Sequence, residues 1–247
     1  MKLNQHITKR IKGYLNLNIC DFSVRAPYHI NFVENQTKEL IANLGISDKK
    51  IKEFHREFKN QAIEYGWGLG KSTPEELEEY GEKLVDLYDL DQSNLTKRGL
   101  RKLMGLHGIG VDCSGFVYQV LDYAFSQVGK ENKFIQSLKW ESDKIGVTRA
   151  DVDLFNQSSR EIDLSQIQPG DLVIINKEED KHCGVVFQKE EQTYIAHSSL
   201  FVEPSGVSYF KLNIKNSHPS FDIKIDLDKE WSELYRQGAL KFKRLDI

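Results

Sequence analysis

Two kinds of apolar spacing divide this chain, and the border between them lies near Pro169. Before it, apolar residues recur at helical intervals; after it, they come in short runs bounded by charged turns, as strands do. The clearest helix is predicted over Pro74–Tyr88. Thr73 is its N-cap, Glu76 completes a capping box, Pro74 takes the first helical position, and Leu84, Leu87 and Tyr88 form the apolar face. Two earlier helices are predicted at 37–44, closed by Gly45, and at 47–65, where Ile51, Phe54, Phe58, Ala62 and Tyr65 share a stripe. Beyond the Pro169-Gly170 turn, runs at 171–176, 182–187 and 193–198 read as an antiparallel meander. Runs at 207–214, 221–225 and 240–245 extend it, and a helix is expected at 228–237, closed by Gly238. Residues 1–33 offer only short strands at 19–24 and 28–33, and 127–168 read as a polar, loop-rich stretch with a short helix at 148–155. Helices first and strands after them predict an α+β protein.

A chain of 247 residues can bury a sizeable core without disulfides. The expected organisation is a mainly helical region over 1–100, which can belong to the same domain, and a second region over 101–247. The net charge of -3 offers no basic excess for a nucleic acid. The run Glu75-Glu76-Leu77-Glu78-Glu79 reads as a solvated helix face. Cys20, Cys113 and Cys183 are odd in number and widely spaced, so neither a disulfide framework nor a CxxC zinc unit is expected. The first residues are basic, but no apolar run of about seven follows, and no stretch of about eighteen could span a membrane. The expectation is a cytoplasmic protein, with the cell envelope or secretion as the alternative if an export segment was removed or export needs no signal.

The chemistry starts at Val111-Asp112-Cys113-Ser114-Gly115-Phe116-Val117. A glycine-rich approach, His107-Gly108-Ile109-Gly110, leads into a helix apolar on more than one face, with Cys113 in its first turn. His107 reads as a loop residue. Unpaired N-H groups and the dipole at a helix start favour an anion, which lowers a thiol pKa from about 8.5 toward roughly 3.5–7.5. Cys113 is thus either an activated nucleophile or a small buried hydrophobe. Asp112 reads equally as the helix N-cap.

A thiol nucleophile needs a base and a group that orients the base. His182 begins one predicted strand and His197 ends the next, so a hairpin through Lys189-Glu190-Glu191-Gln192 brings them to the same sheet edge. Zinc is a poor reading for Cys113, His182, Cys183 and His197. Adjacent strand residues point to opposite faces, so His182 and Cys183 cannot share an ion without a bulge. Cys183 reads as a buried apolar residue and Cys20 as incidental.

Asp112-Cys113-Ser114-Gly115-Phe116-Val117, then Pro169-Gly170-Asp171-Leu172, then His182-Cys183-Gly184-Val185 and Ile195-Ala196-His197-Ser198-Ser199 resemble, in order and spacing, the NlpC/P60 cysteine peptidases. The resemblance covers roughly 105–210. It implies a papain-like core, with the nucleophile's helix packed on an antiparallel sheet and no cofactor or metal. Carried over by position, it implies Cys113 as nucleophile, His182 as base and His197 as the orienting residue. It further implies that Asp112 and Ser114 help bind the amine end of a substrate peptide. Tyr65-Gly66-Trp67-Gly68 resembles a family segment whose tyrosine binds substrate, but it lies 48 residues before Cys113. Either the helix at 74–88 is an insertion or that likeness is accidental. The implied reaction is hydrolysis of an amide in bacterial cell-wall (peptidoglycan-derived) peptides through a thioester, such as the bond after γ-D-glutamyl, on a peptide or muropeptide. Recycling of wall fragments in the cytoplasm would fit. A thiol acyltransferase on the same core, or a silent binding module, are the alternatives, and the oligomeric state is open.

Overall fold

The structure is a computed structural model, and it describes residues 2–29, 47, 49–50, 52–53, 56, 69–93, 95–140, 145–178, 180–202, 204–215, 218–222 and 225–247. In chain order the elements are α1 (Lys2–Leu15), β1 (Leu17–Ile19), β2 (Phe22–Val24), α2 (Pro74–Tyr88), α3 (Lys97–Leu106), α4 (Cys113–Gln127), α5 (Glu131–Ser137), α6 (Val152–Ser158) and β3 (Ser159–Glu161). They continue with β4 (Leu172–Asn176), β5 (Lys181–Lys189), β6 (Gln192–Ser199), β7 (Gly206–Lys215), β8 (His218–Asp222), α7 (Ile225–Arg236) and β9 (Leu240–Leu245). Helices and a mainly antiparallel sheet make this an α+β fold, as the change of spacing at Pro169 predicts. Among the described residues, no helix is long and apolar enough to cross a membrane.

The chain forms two compact units. One comprises Met1–Ile11, Val117–His197 and Ser208–Ile247; the other comprises Lys12–Phe116 and Ser198–Val207. The first is built on a seven-stranded sheet of order β3-β9-β4-β5-β6-β7-β8, and the meander of β4, β5 and β6 appears as predicted. Val173, Ile175, Val186, Ile195, Phe210, Phe221 and Trp231 pack together as its core. Asp171, predicted to open β4, instead precedes it by one residue and is 1% exposed. Arg244 on β9 holds it through two hydrogen bonds of 2.6 and 2.8 Å, and its carboxylate also accepts the Gln168 N-H at 2.7 Å. This bidentate pair answers the cost of burying the carboxylate and fixes where β4 begins.

In the second unit, α2 has the bounds and capping box that its sequence predicts. It lies against the β1–β2 hairpin so closely that a Cβ at Gly81 would stand 2.5 Å from Ile19 Cδ1. The predicted strand at 19–24 is in fact the turn and second arm of that hairpin: Ile19 pairs with Phe22, and Cys20 takes a left-handed φ of 50°. A non-glycine residue there carries no sequence signal.

Among the described residues three helices escaped prediction, α1, α3 and α5. α1 buries Ile7, Ile11 and Tyr14, spaced one helical face apart, and α3 buries Leu100, Leu103 and Met104 behind a Thr96 N-cap. The stretch read as loop-rich, 127–168, contains α5, α6 and β3, and the short helix expected at 148–155 begins at Val152 with Asp151 accepting the Leu154 N-H. The helix predicted at 37–44 lies outside the described residues, as does most of that at 47–65.

Candidate active site

Cys113 is the first residue of α4, a helix buried continuously from Cys113 to Leu121. The approach to it is fixed by backbone. Val111 donates to the Pro27 carbonyl at 3.1 Å and accepts from His29 N-H at 3.3 Å, while the Ser198 hydroxyl donates to the Val111 carbonyl at 2.6 Å. The Asp112 N-H donates to the Gly70 carbonyl at 2.9 Å. His107 is the C-cap of α3 and 3% exposed, hydrogen-bonded through Nε2 to the Tyr88 hydroxyl at 3.0 Å. The loop expected at that position is a buried helix end, because Tyr88 gives the imidazole a polar partner.

Asp112 caps α4. Its Oδ1 accepts the Gly115 N-H at 2.6 Å and the Ser114 hydroxyl at 3.1 Å. Both of its carboxylate oxygens also accept from Lys71 Nζ, at 3.0 and 2.8 Å, and Lys71 Nζ donates to Ser114 Oγ at 2.6 Å. Burial pushes the Asp112 carboxyl up, and the Lys71 ammonium pulls it back only in part. Asp112 and Ser114 are therefore brought together, with Lys71 as a third partner that the sequence did not single out. Tyr65 lies outside the described residues.

The two histidines meet in the sheet of the other unit. Val185 pairs with Ala196, and one step further along this register His197 lies opposite Gly184. A Cβ at Gly184 would stand 3.4 Å from His197 Cβ and 2.9 Å from the Ala196 carbonyl oxygen. Glycine there leaves open the face on which His182, two residues earlier, crosses diagonally to His197. His182 Nε2 and His197 Nδ1 are 2.8 Å apart.

His197 is 3% exposed, and its ring stands edge-on to Phe210 and Trp231 at 5.2 and 5.6 Å. Trp231 also lies edge-on to His182 at 5.9 Å. Burial first, and His182 second, hold His197 well below its ordinary pKa of 6.5, so it is neutral. The direction of their hydrogen bond follows from the tautomers of the two rings, and His197 Nε2 has no hydrogen-bond partner among the described residues. With His182 Nε2 as the donor, the lone pair of that ring lies on Nδ1.

This depressed pKa makes stability depend on pH. The unfolded chain takes up a proton at His197 near 6.5 while the folded chain refuses it, so stability is complete above that value and falls as pH drops below it. The thermal midpoint is expected to decline between about pH 7 and pH 5, and His197→Asn to flatten that decline. Equal slopes in the two proteins would contradict the buried neutral imidazole.

Comparison with known proteins bears on the segment that holds this chemistry. Residues 99–214 match the NlpC/P60 family. Members of the family are generally cysteine peptidases that act on peptidoglycan peptides. No curated protein and no solved structure matches the chain. The NlpC/P60 segment contains Asp112, Cys113, Ser114, His182 and His197, whereas Lys71, Trp231 and Arg244 lie outside it. Trp231 sits on a helix whose existence was legible, but nothing in its sequence ties that helix to the histidines.

Proposed function

We propose that this chain is a papain-like cysteine peptidase or amidase that hydrolyses an amide of bacterial cell-wall peptides, such as the bond after γ-D-glutamyl. The observation that best supports the reading is the His182–His197 hydrogen bond, a neutral imidazole beside the proposed base within the NlpC/P60 segment.

In this reading the Cys113 thiol gives its proton to His182 Nδ1, and the sulfur attacks the carbonyl carbon. The N-H groups at the start of α4 stabilise the oxyanion. His182 passes its proton to the amide nitrogen as the C–N bond breaks, leaving a thioester and a free amine. Water then loses a proton to His182 and attacks the thioester; the C–S bond breaks, and the thiolate recovers the proton as the acid leaves.

A screen of the purified protein against wall-derived tripeptides and tetrapeptides tests this directly, with new amine and carboxyl ends as the readout. No cleavage across the set counts against the proposal. The histidines should differ: His182→Ala loses nearly as much activity as removal of the thiol, on the order of 10³-fold or more, while His197→Ala loses less, about 10- to 100-fold. Equal losses would deny His197 a merely orienting role.

A further inference from the structure

Lys71 carries an inference that deepens this function and rests on it. Asp112 and Ser114 flank Cys113 in sequence and together offer a carboxylate and a hydroxyl, which suit an ammonium group. That ammonium is already supplied from within the chain. Lys71 Nζ donates to both carboxylate oxygens of Asp112, at 3.0 and 2.8 Å, and to Ser114 Oγ at 2.6 Å. We propose that Lys71 is the built-in occupant of an amine subsite beside the nucleophile, so that the chain selects peptides with an acylated amino end over those ending in a free ammonium.

The occupant is held firmly. Lys71 is 6% exposed, its backbone bridges Val111, and the preceding Gly70 carbonyl accepts the Asp112 N-H at 2.9 Å. A second ammonium would have to share one carboxylate with Lys71 at contact distance, where like charges repel strongly. Displacing Lys71 instead would strand a buried cation without its counter-ion. An acylated amino end brings no charge and meets neither obstacle. Because Lys71 lies outside the 99–214 segment, the occupant is supplied by the chain's own amino-terminal part.

The test compares one wall-type peptide with a free amino end and the same peptide N-acetylated, on the full chain. The acetylated peptide is expected to have the higher kcat/KM by about 10-fold or more, chiefly through KM. Lys71→Met should close or invert that gap, and added ethylamine should reopen it by refilling the vacancy; if this variant does not fold, the wild-type comparison decides alone. Equal or better use of the free-amine peptide by the wild type overturns the inference. If the wild type cleaves neither peptide, the proposed hydrolysis fails, and binding of the two peptides to Cys113→Ala decides about Lys71. Tighter binding of the acetylated peptide then sustains the inference, and equal, reversed or absent binding overturns it.

Discussion

Cys113→Ala is expected to lower turnover of a susceptible wall peptide by a factor on the order of 10⁴ or more while the protein stays folded. The size follows from what is removed: without sulfur there is no thioester, and residual rate can come only from binding and oxyanion stabilisation. The fold should survive because the start of α4 is set by backbone and by Asp112, whose Oδ1 holds the Gly115 N-H at 2.6 Å. Cys113 itself is 8% exposed and contributes one small buried group, whose loss typically costs about 1 kcal/mol. Initial rates, with circular dichroism on the same samples, measure both halves. A variant that keeps wild-type activity would end the assignment of Cys113 as nucleophile, and a variant that unfolds would show its role to be packing.

Gly115→Ala should be the most damaging small change to stability near the site. By helix propensity alone it would stabilise α4 by up to about 1 kcal/mol. The added Cβ, however, would stand 2.2 Å from the Gly70 carbonyl oxygen and 3.0 Å from Lys71 Cα, both backbone atoms that cannot swing aside. Overpacking of this kind costs about 3 kcal/mol or more, so the clash outweighs the propensity. A fall in thermal midpoint of about 6–12 °C follows for a chain of this size. An unchanged midpoint would mean that the 70–71 backbone does not press on α4 as described.

The candidate site was legible in unequal parts, for physical reasons. His182 and His197 could be placed together because strand period and a short charged turn fix a hairpin register, and the structure puts their nitrogens 2.8 Å apart. Asp112 could be recognised as a cap because capping is local, spanning three residues to Gly115. Lys71 could not: it lies 41 positions from Asp112, and a lone lysine after glycine signals nothing. The same division holds for the fold. α2 announced itself through Thr73, Pro74 and Glu76, whereas α3, KRGLRKLMGL, hides a sound apolar face behind two glycines and a run of cations. The β1–β2 turn depends on a left-handed cysteine, Cys20, which no spacing rule anticipates.

The unpartnered Nε2 of His197 bears on how far a proton could travel. Phe210 and Trp231 stand edge-on to that ring, and neither offers a lone pair to receive one. Among the described residues the hydrogen bond between His182 and His197 therefore leads no further: in the proposed reaction His197 steadies its neighbour and relays no charge onward. In that proposed reaction, a proton passed from Cys113 to His182 stays on that ring until the leaving amine or the thiolate takes it.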